Sequence, residues 1–148
     1  MTTVAVNKNQ IAADLQATHN GGLKFKIKTK IIPVQQPLVY KHPFYVGLCG
    51  NVDSFSDIIS WFADPTAWKK PPSGKGGDFV VLTADKKIFT FANPSQWIPV
   101  NQPYYAVGSG MNYAMAAMAS GKTPYEAVKI AAKFDPNTGM GFEKVNIA

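Results

Sequence analysis

The most regular hydrophobic pattern in the chain runs from Leu23 to Ile32, where polar and apolar residues alternate with period two. Successive side chains of a strand point to opposite faces. Lys24, Lys26, Lys28 and Lys30 therefore share one face, with Phe25, Ile27, Thr29 and Ile31 on the other. This alternation predicts a single strand with a lysine face. Shorter strands are predicted at 2–6 and 11–14, joined by the turn Asn7-Lys8-Asn9-Gln10, and Asn20-Gly21-Gly22 breaks the chain again. Tyr45–Cys49 reads as a strand leading into Gly50, Phe79–Leu82 and Ile88–Phe91 as a β-hairpin, and Tyr105–Val107 and Phe142–Ile147 as the last two strands.

Helical signals occupy two regions. Asp53 or Ser54 can cap a short helix ending near Phe62, followed by a loop rich in Pro, Gly and Lys from Ala63 to Gly77. Gly108-Ser109-Gly110 turns a strand into an Ala- and Met-rich helix that runs to about Ser120 and is stopped by Gly121. Thr123-Pro124-Tyr125-Glu126 opens the next helix, which ends near Phe134: Thr as cap, Pro at the first position, Glu closing the capping box. The order is strands, helix, strands, two helices, strand. It predicts an α+β fold of antiparallel sheets layered with helices, not the βα alternation of a parallel sheet. With 148 residues and no internal repeat or linker, a single domain is expected over 1–148.

Composition narrows the function. The net charge of +6 comes entirely from Lys, with no Arg in the chain. Arg dominates base readout and planar phosphate contacts, so sequence-specific nucleic-acid recognition is not expected. Binding through a Lys face would be non-specific and steeply salt-dependent. No apolar run reaches the roughly 20 residues of a membrane span, and no membrane partner is expected. The N-terminus lacks the basic and apolar blocks of a signal peptide, so Thr2 is not expected to lie in a discarded segment. A lone Cys49 precludes an internal disulfide and suits a reducing cytoplasm.

Several motifs fail on chemistry. Ser73-Gly74-Lys75-Gly76-Gly77 lacks the spacing and the Ser or Thr of a phosphate loop. Tyr113 stands where a dinucleotide fold would need its third Gly after Gly108 and Gly110. His19, His42 and Cys49 have no metal-ligand spacing, and exposed or capping roles are expected for both histidines. No cofactor or metal is expected.

Thr2 carries a different kind of chemistry. If Met1 is removed, Thr2 holds a hydroxyl nucleophile and a free α-amine base on one residue. An α-amine titrates at about 7.7–8.0, so near neutral pH a useful fraction accepts a proton. Downstream, Asp14-Leu15-Gln16-Ala17-Thr18 and then Lys30 follow at steps of twelve residues from Thr2 and sixteen from Asp14. Later come Gly108-Ser109-Gly110-Met111-Asn112-Tyr113-Ala114 and Asp135-Pro136-Asn137-Thr138-Gly139. Together with Thr2-Thr3, this series resembles the proteasome β-type subunits, and the bacterial HslV-type threonine peptidases in particular.

The resemblance implies a four-layer αββα N-terminal nucleophile (Ntn) hydrolase fold with a shortened first helical layer, because the stretch from Asp53 to Asp78 is shorter than the two long helices the family carries there. It implies Thr2 as nucleophile, Lys30 as the cation beside its hydroxyl, and Asp14 as the partner orienting that cation. Ser109, Asp135 and Thr138 would form a network near the Thr amine, and Gly50 would supply the oxyanion N–H. The family's Gly-Gly-x-Ala-Asp reads here as Gly50-Asn51-Val52-Asp53. Thr18 and Lys28 are the candidate substrate contacts, with Lys28 on the strand face of Lys30 favouring acidic side chains. Implied partners are an unfolded polypeptide or peptide substrate, a homo-oligomeric ring and an ATPase unfoldase, in a bacterial or viral-host cytoplasm. Retention of Met1 would instead leave an inactive assembly or regulatory subunit, and the same mechanism could serve a small-molecule amidase.

Overall fold

The computed structural model describes residues 2–18, 22–35, 38–50, 52–73 and 77–148. In chain order the strands are β1 (Thr3–Asn7), β2 (Gln10–Asp14), β3 (Gln16–Thr18), β4 (Lys24–Lys26), β5 (Ile31–Val34) and β6 (Phe44–Gly50). After α1 (Phe55–Ala63) come β7 (Gly77–Thr83), β8 (Ile88–Phe91), β9 (Ile98–Pro99) and β10 (Tyr104–Gly108). Helices α2 (Met111–Ala119) and α3 (Pro124–Phe134) and strand β11 (Phe142–Asn146) close the chain. One antiparallel sheet has the order β10-β1-β2-β11 and a second the order β5-β6-β7-β8-β9, with β3 and β4 paired beside them.

Period-two alternation builds the layers. Val4, Val6, Ile11, Ala13 and Val107 of the first sheet meet Ile31, Cys49, Val80, Leu82 and Ile88 of the second between the two sheets. The opposite face of the first sheet presents Ala5, Ala12 and Ala106 to Ala114, Ala117, Met118, Ala127, Val128 and Ala131 of α2 and α3. Small side chains on both surfaces let these helices lie close to the strands. The outer face of the second sheet is aromatic instead: Phe44, Phe79 and Phe91 with Val46, Leu48 and Val81 pack against Phe55, Ile58, Trp61 and Phe62. The result is helix, sheet, sheet, helix pair: the expected αββα sandwich, with α1 followed, among the described residues before β7, by a 3-10 turn at Pro65–Ala67.

The local signals of α3 appear as read, including both hydrogen bonds of the Thr123–Glu126 capping box. Three expectations are corrected. Leu23–Ile32 is not one strand: β4 ends at Lys26, residues 27–30 bend, and β5 begins at Ile31. The bend puts the Lys30 side chain inside at 1% exposure while Lys24, Lys26 and Lys28 stay exposed, so Lys28 and Lys30 do not share a strand face. The physical cause is ionic, since the Lys30 ammonium pairs with the buried Asp14 carboxylate. Ser54 gives α1 no side-chain cap; the 3-10 turn Val52–Ser54 leads into it instead. Strands β3 and β9 were not expected at all. Met1, His19, Asn20, Gly21, Asn51 and Gly74-Lys75-Gly76 lie outside the described residues, so the readings placed on them have no structural counterpart here.

Candidate active site

Thr2 enters the fold directly before β1 and is buried at 2% exposure. The antiparallel pairing of β1 with β2 sets Val4 opposite Ala13, which brings the start of β1 to the end of β2, where Asp14 sits. The bend at 27–30 delivers Lys30 to the same point. The Lys30 ammonium donates to Thr2 Oγ1, to Asp14 Oδ1 at 2.9 Å and to the Gln16 carbonyl, using all three of its N–H donors. Thr2 Oγ1 in turn donates to Asp14 Oδ1.

Asp14 is held from every side. Its Oδ1 accepts the Thr3 N–H at 3.1 Å, and its Oδ2 accepts the Gly139 N–H at 2.9 Å and the Gln16 N–H at 3.4 Å. Moving ions out of water costs several kcal/mol each, and the attraction within a buried pair offsets this only when the remaining donors and acceptors are bonded. That condition is met here. Burial holds the Lys30 ammonium below its ordinary pKa of 10.5, while the Asp14 charge and hydrogen bond act in the opposite direction. The arrangement is a buried cation set against a hydroxyl oxygen, which favours a negative charge developing there.

A second cluster adjoins the first. Ser109 Oγ donates to Asp135 Oδ2 at 2.6 Å and lies 3.4 Å from the Thr2 carbonyl oxygen. Thr138 Oγ1 also donates to Asp135 Oδ2 at 2.6 Å. Because its only proton is used there, the 2.7 Å contact between Thr138 Oγ1 and Thr3 Oγ1 has Thr3 as donor. Gly108 makes room for this junction: its φ is +104°, and a Cβ there would fall 1.9 Å from the Thr2 carbonyl oxygen. The structure thus gathers Thr2, Asp14 and Lys30 in one cluster and Ser109, Asp135 and Thr138 in another, joined through Thr2 and Thr3.

The other candidates lie differently. Gly50 ends β6 with φ +99°, a backbone conformation that favours glycine. Thr18 closes β3 opposite Lys24, and Lys28 is exposed in the bend. Cys49 is buried against the sheet interface, and burial, with Asp78 adding to it, pushes its thiol up to about 12, which removes it as a nucleophile. His42 is half-buried, with Nε2 3.9 Å from Asp85 Oδ2. Sequence reasoning quoted Gln16, Thr3 and Gly139 in its motifs without giving them a role, and missed Glu143. The first three act through backbone groups or a short hydroxyl, which leave no residue-type signal. Glu143, which binds the backbone at Lys30, had one: a lone carboxylate in an otherwise ordinary edge strand.

No protein-family model matches the chain, and no curated protein matches it by sequence. Solved structures do. BPH from Thiobacillus denitrificans, alone or in complex with Epoxomicin, is 19% identical over 99% of this chain and 96–97% of its own, with TM-score 0.68. HslV from Trypanosoma brucei is 15% identical over 99% of this chain and 98% of its own, at 0.67. Anbu from Hyphomicrobium sp. strain MC1 is 13% identical over 99% of this chain and 81% of its own, at 0.72. The chain has the proteasome-type Ntn fold. Within this Ntn fold the start of β1 meets the β2 terminus, the Lys30 bend and the turn before α2, which is where both polar clusters lie.

Proposed function

We propose that this Ntn-fold chain is a threonine-type peptidase whose nucleophile is Thr2 after removal of Met1. The observation that carries the reading is the buried Lys30 ammonium donating to Thr2 Oγ1, with Asp14 accepting from both. Once Met1 is gone, the Thr2 nitrogen is an amine. It takes the hydroxyl proton as Oγ1 attacks a peptide carbonyl, and passes that proton to the leaving amine as the C–N bond breaks. The acyl group remains as an ester on Thr2. A water then attacks the ester, the Thr2 amine accepts its proton and returns it to Oγ1 as the ester C–O bond breaks, restoring the hydroxyl and releasing the acyl group as a carboxylic acid.

In this reading Lys30 lowers the pKa of hydroxyl and amine, and Asp14 orients it. The Ser109–Asp135–Thr138 network fixes the turn against Thr2, and the Gly50 N–H meets the oxyanion, a donor whose loss typically costs roughly 10²–10³ in rate. Thr18 is the proposed substrate contact, while Lys28, turned off the face of Lys30 by the bend, is not carried forward. We place the protein in the cytoplasm as a homo-oligomer that accepts unfolded polypeptide, with an ATPase unfoldase as its proposed partner. Among the described residues no helix is long and apolar enough to cross a membrane.

The test combines intact mass with labelling by Epoxomicin, the compound found in complex with BPH. The expected result is a mass lacking one methionine and a single adduct on Thr2, absent from Thr2→Ala. A protein that keeps Met1 and takes up no label refutes the reading.

A further inference from the structure

The backbone that carries Lys30 is gripped by a residue outside both polar clusters. Residues 27–30 belong to no strand, and at the start of β5 the ladder to β6 uses only one side of the chain. The Lys30 carbonyl accepts the Leu48 N–H at 2.8 Å. The N–H groups turn the other way: Glu143 Oε1 accepts Lys30 N–H at 2.8 Å, Ile31 N–H at 3.0 Å and the Thr29 hydroxyl at 2.8 Å. One carboxylate oxygen therefore gathers three donors from three consecutive residues. Hydrogen bonds to an ionised acceptor are about twice as strong as neutral ones.

The position of Glu143 gives this contact its reach. It lies on β11 opposite Ala13, one residue from the Asp14–Phe142 pair. β11 is the edge of the four-stranded sheet and β5 the edge of the five-stranded one. The carboxylate thus spans from the sheet that holds Asp14 to the sheet that holds Lys30. A lysine side chain has large rotamer entropy to lose, so an ammonium stays on its target only if its backbone is placed and its stem is packed.

We propose that Glu143 is a positioning residue for Lys30, holding the 29–31 bend so that the ammonium reaches Thr2 Oγ1 and Asp14 across the two sheets. Its catalytic consequence rests on the peptidase reading; the geometric claim does not. Glu143 also faces Lys30 as a negative charge, together with Asp14, and opposes the effect of burial on the ammonium.

Two variants separate positioning from plain sheet stapling. Glu143→Ala removes both acceptor and charge, whereas Glu143→Gln keeps an acceptor oxygen and the side-chain volume, so a folded variant is in hand. Peptide hydrolysis and Thr2 labelling are expected to slow about 10²-fold in Glu143→Ala, the scale of a reacting group displaced by an ångström. The loss falls in kcat with KM near wild type, and Glu143→Gln lies between. In ¹⁵N-edited spectra the Lys30 and Ile31 amide protons are expected to move upfield, and the Lys30 ε-methylene titration to a lower pH, in both variants. Unchanged amide signals and an unchanged Lys30 titration, or wild-type labelling rates in both variants, overturn the proposal. A wild type inert to peptides and label refutes the peptidase reading alone, because the amide and titration readouts need no turnover.

Discussion

At the scale of single residues, Lys30 is the centre of the candidate site. Its side chain is among the largest fully buried ones of the described residues, and its ammonium is shared among Thr2 Oγ1, Asp14 and the Gln16 carbonyl. Lys30→Met keeps most of the side-chain volume and removes the charge. It leaves Asp14 buried with three backbone N–H groups and the Thr2 hydroxyl as its donors, but no counter-ion. Breaking a buried pair by deleting one partner costs about 3–5 kcal/mol. We therefore expect Lys30→Met to lose that much in urea denaturation and to abolish Thr2 labelling in whatever fraction remains folded. Stability equal to wild type would mean the ion pair contributes nothing net. The role of this residue was legible only through the resemblance of the Thr-Asp-Lys series. Alternation alone set Lys30 beside three lysines that prove exposed, because a period-two pattern cannot report a bend that a buried carboxylate imposes from elsewhere in the chain.

At the scale of elements, the connection from α3 to β11 has a pH dependence of its own. Burial pushes the Asp135 carboxyl up, but hydrogen bonds from Ser109, Thr138 and the Asn137 N–H together outweigh it, holding the group below its ordinary 3.8. A carboxyl with a depressed folded pKa adds stability that is fully present above the unfolded value and is lost as pH falls through the folded one. Asp135→Asn is thus expected to be less stable than wild type at pH 6–7, with the difference shrinking once the pH drops below about 3.8. Chemical denaturation of both proteins across that range measures it, and a pH-independent difference would show that the charge does not matter. The legibility of elements follows the range of their causes. The α3 capping box, the Gly121 stop and the Gly108–Gly110 turn are set by neighbours in sequence and were read directly. Strands β3 and β9 span only three and two residues and exist because β4 and β8 lie beside them, so no local window announces them.

At the scale of the whole molecule, the candidate site and the core share one spacing. Val4 packs between the sheets two residues after Thr2, and across from it Gly47 of β6 leaves just the room it needs: a Cβ there would lie 2.5 Å from Val4 Cγ1, 3.1 Å from Val80 Cγ1 and 3.3 Å from Ile11 Cδ1. Gly47 has no left-handed backbone to explain it, so the reason for glycine is the close approach of the two sheets. Gly47→Val would push β1 away from β6, and overpacking of this kind costs about 1–3 kcal/mol. The same displacement moves the start of β1, hence Thr2, relative to Lys30, which is anchored on the other sheet through β5 and Leu48. Expected outcomes are a lower midpoint in urea and slower Thr2 labelling even at temperatures where the variant is fully folded. Gly121→Ala is the matched control: its φ of +95° carries a backbone cost, but a Cβ there meets nothing within 4 Å and lies at the end of α2 away from both sheets. If Gly47→Val loses stability while Thr2 reacts at the wild-type rate, the sheets can separate without carrying the site with them, and the distance between the Thr2 hydroxyl and the Lys30 ammonium is set by the local hydrogen bonds alone.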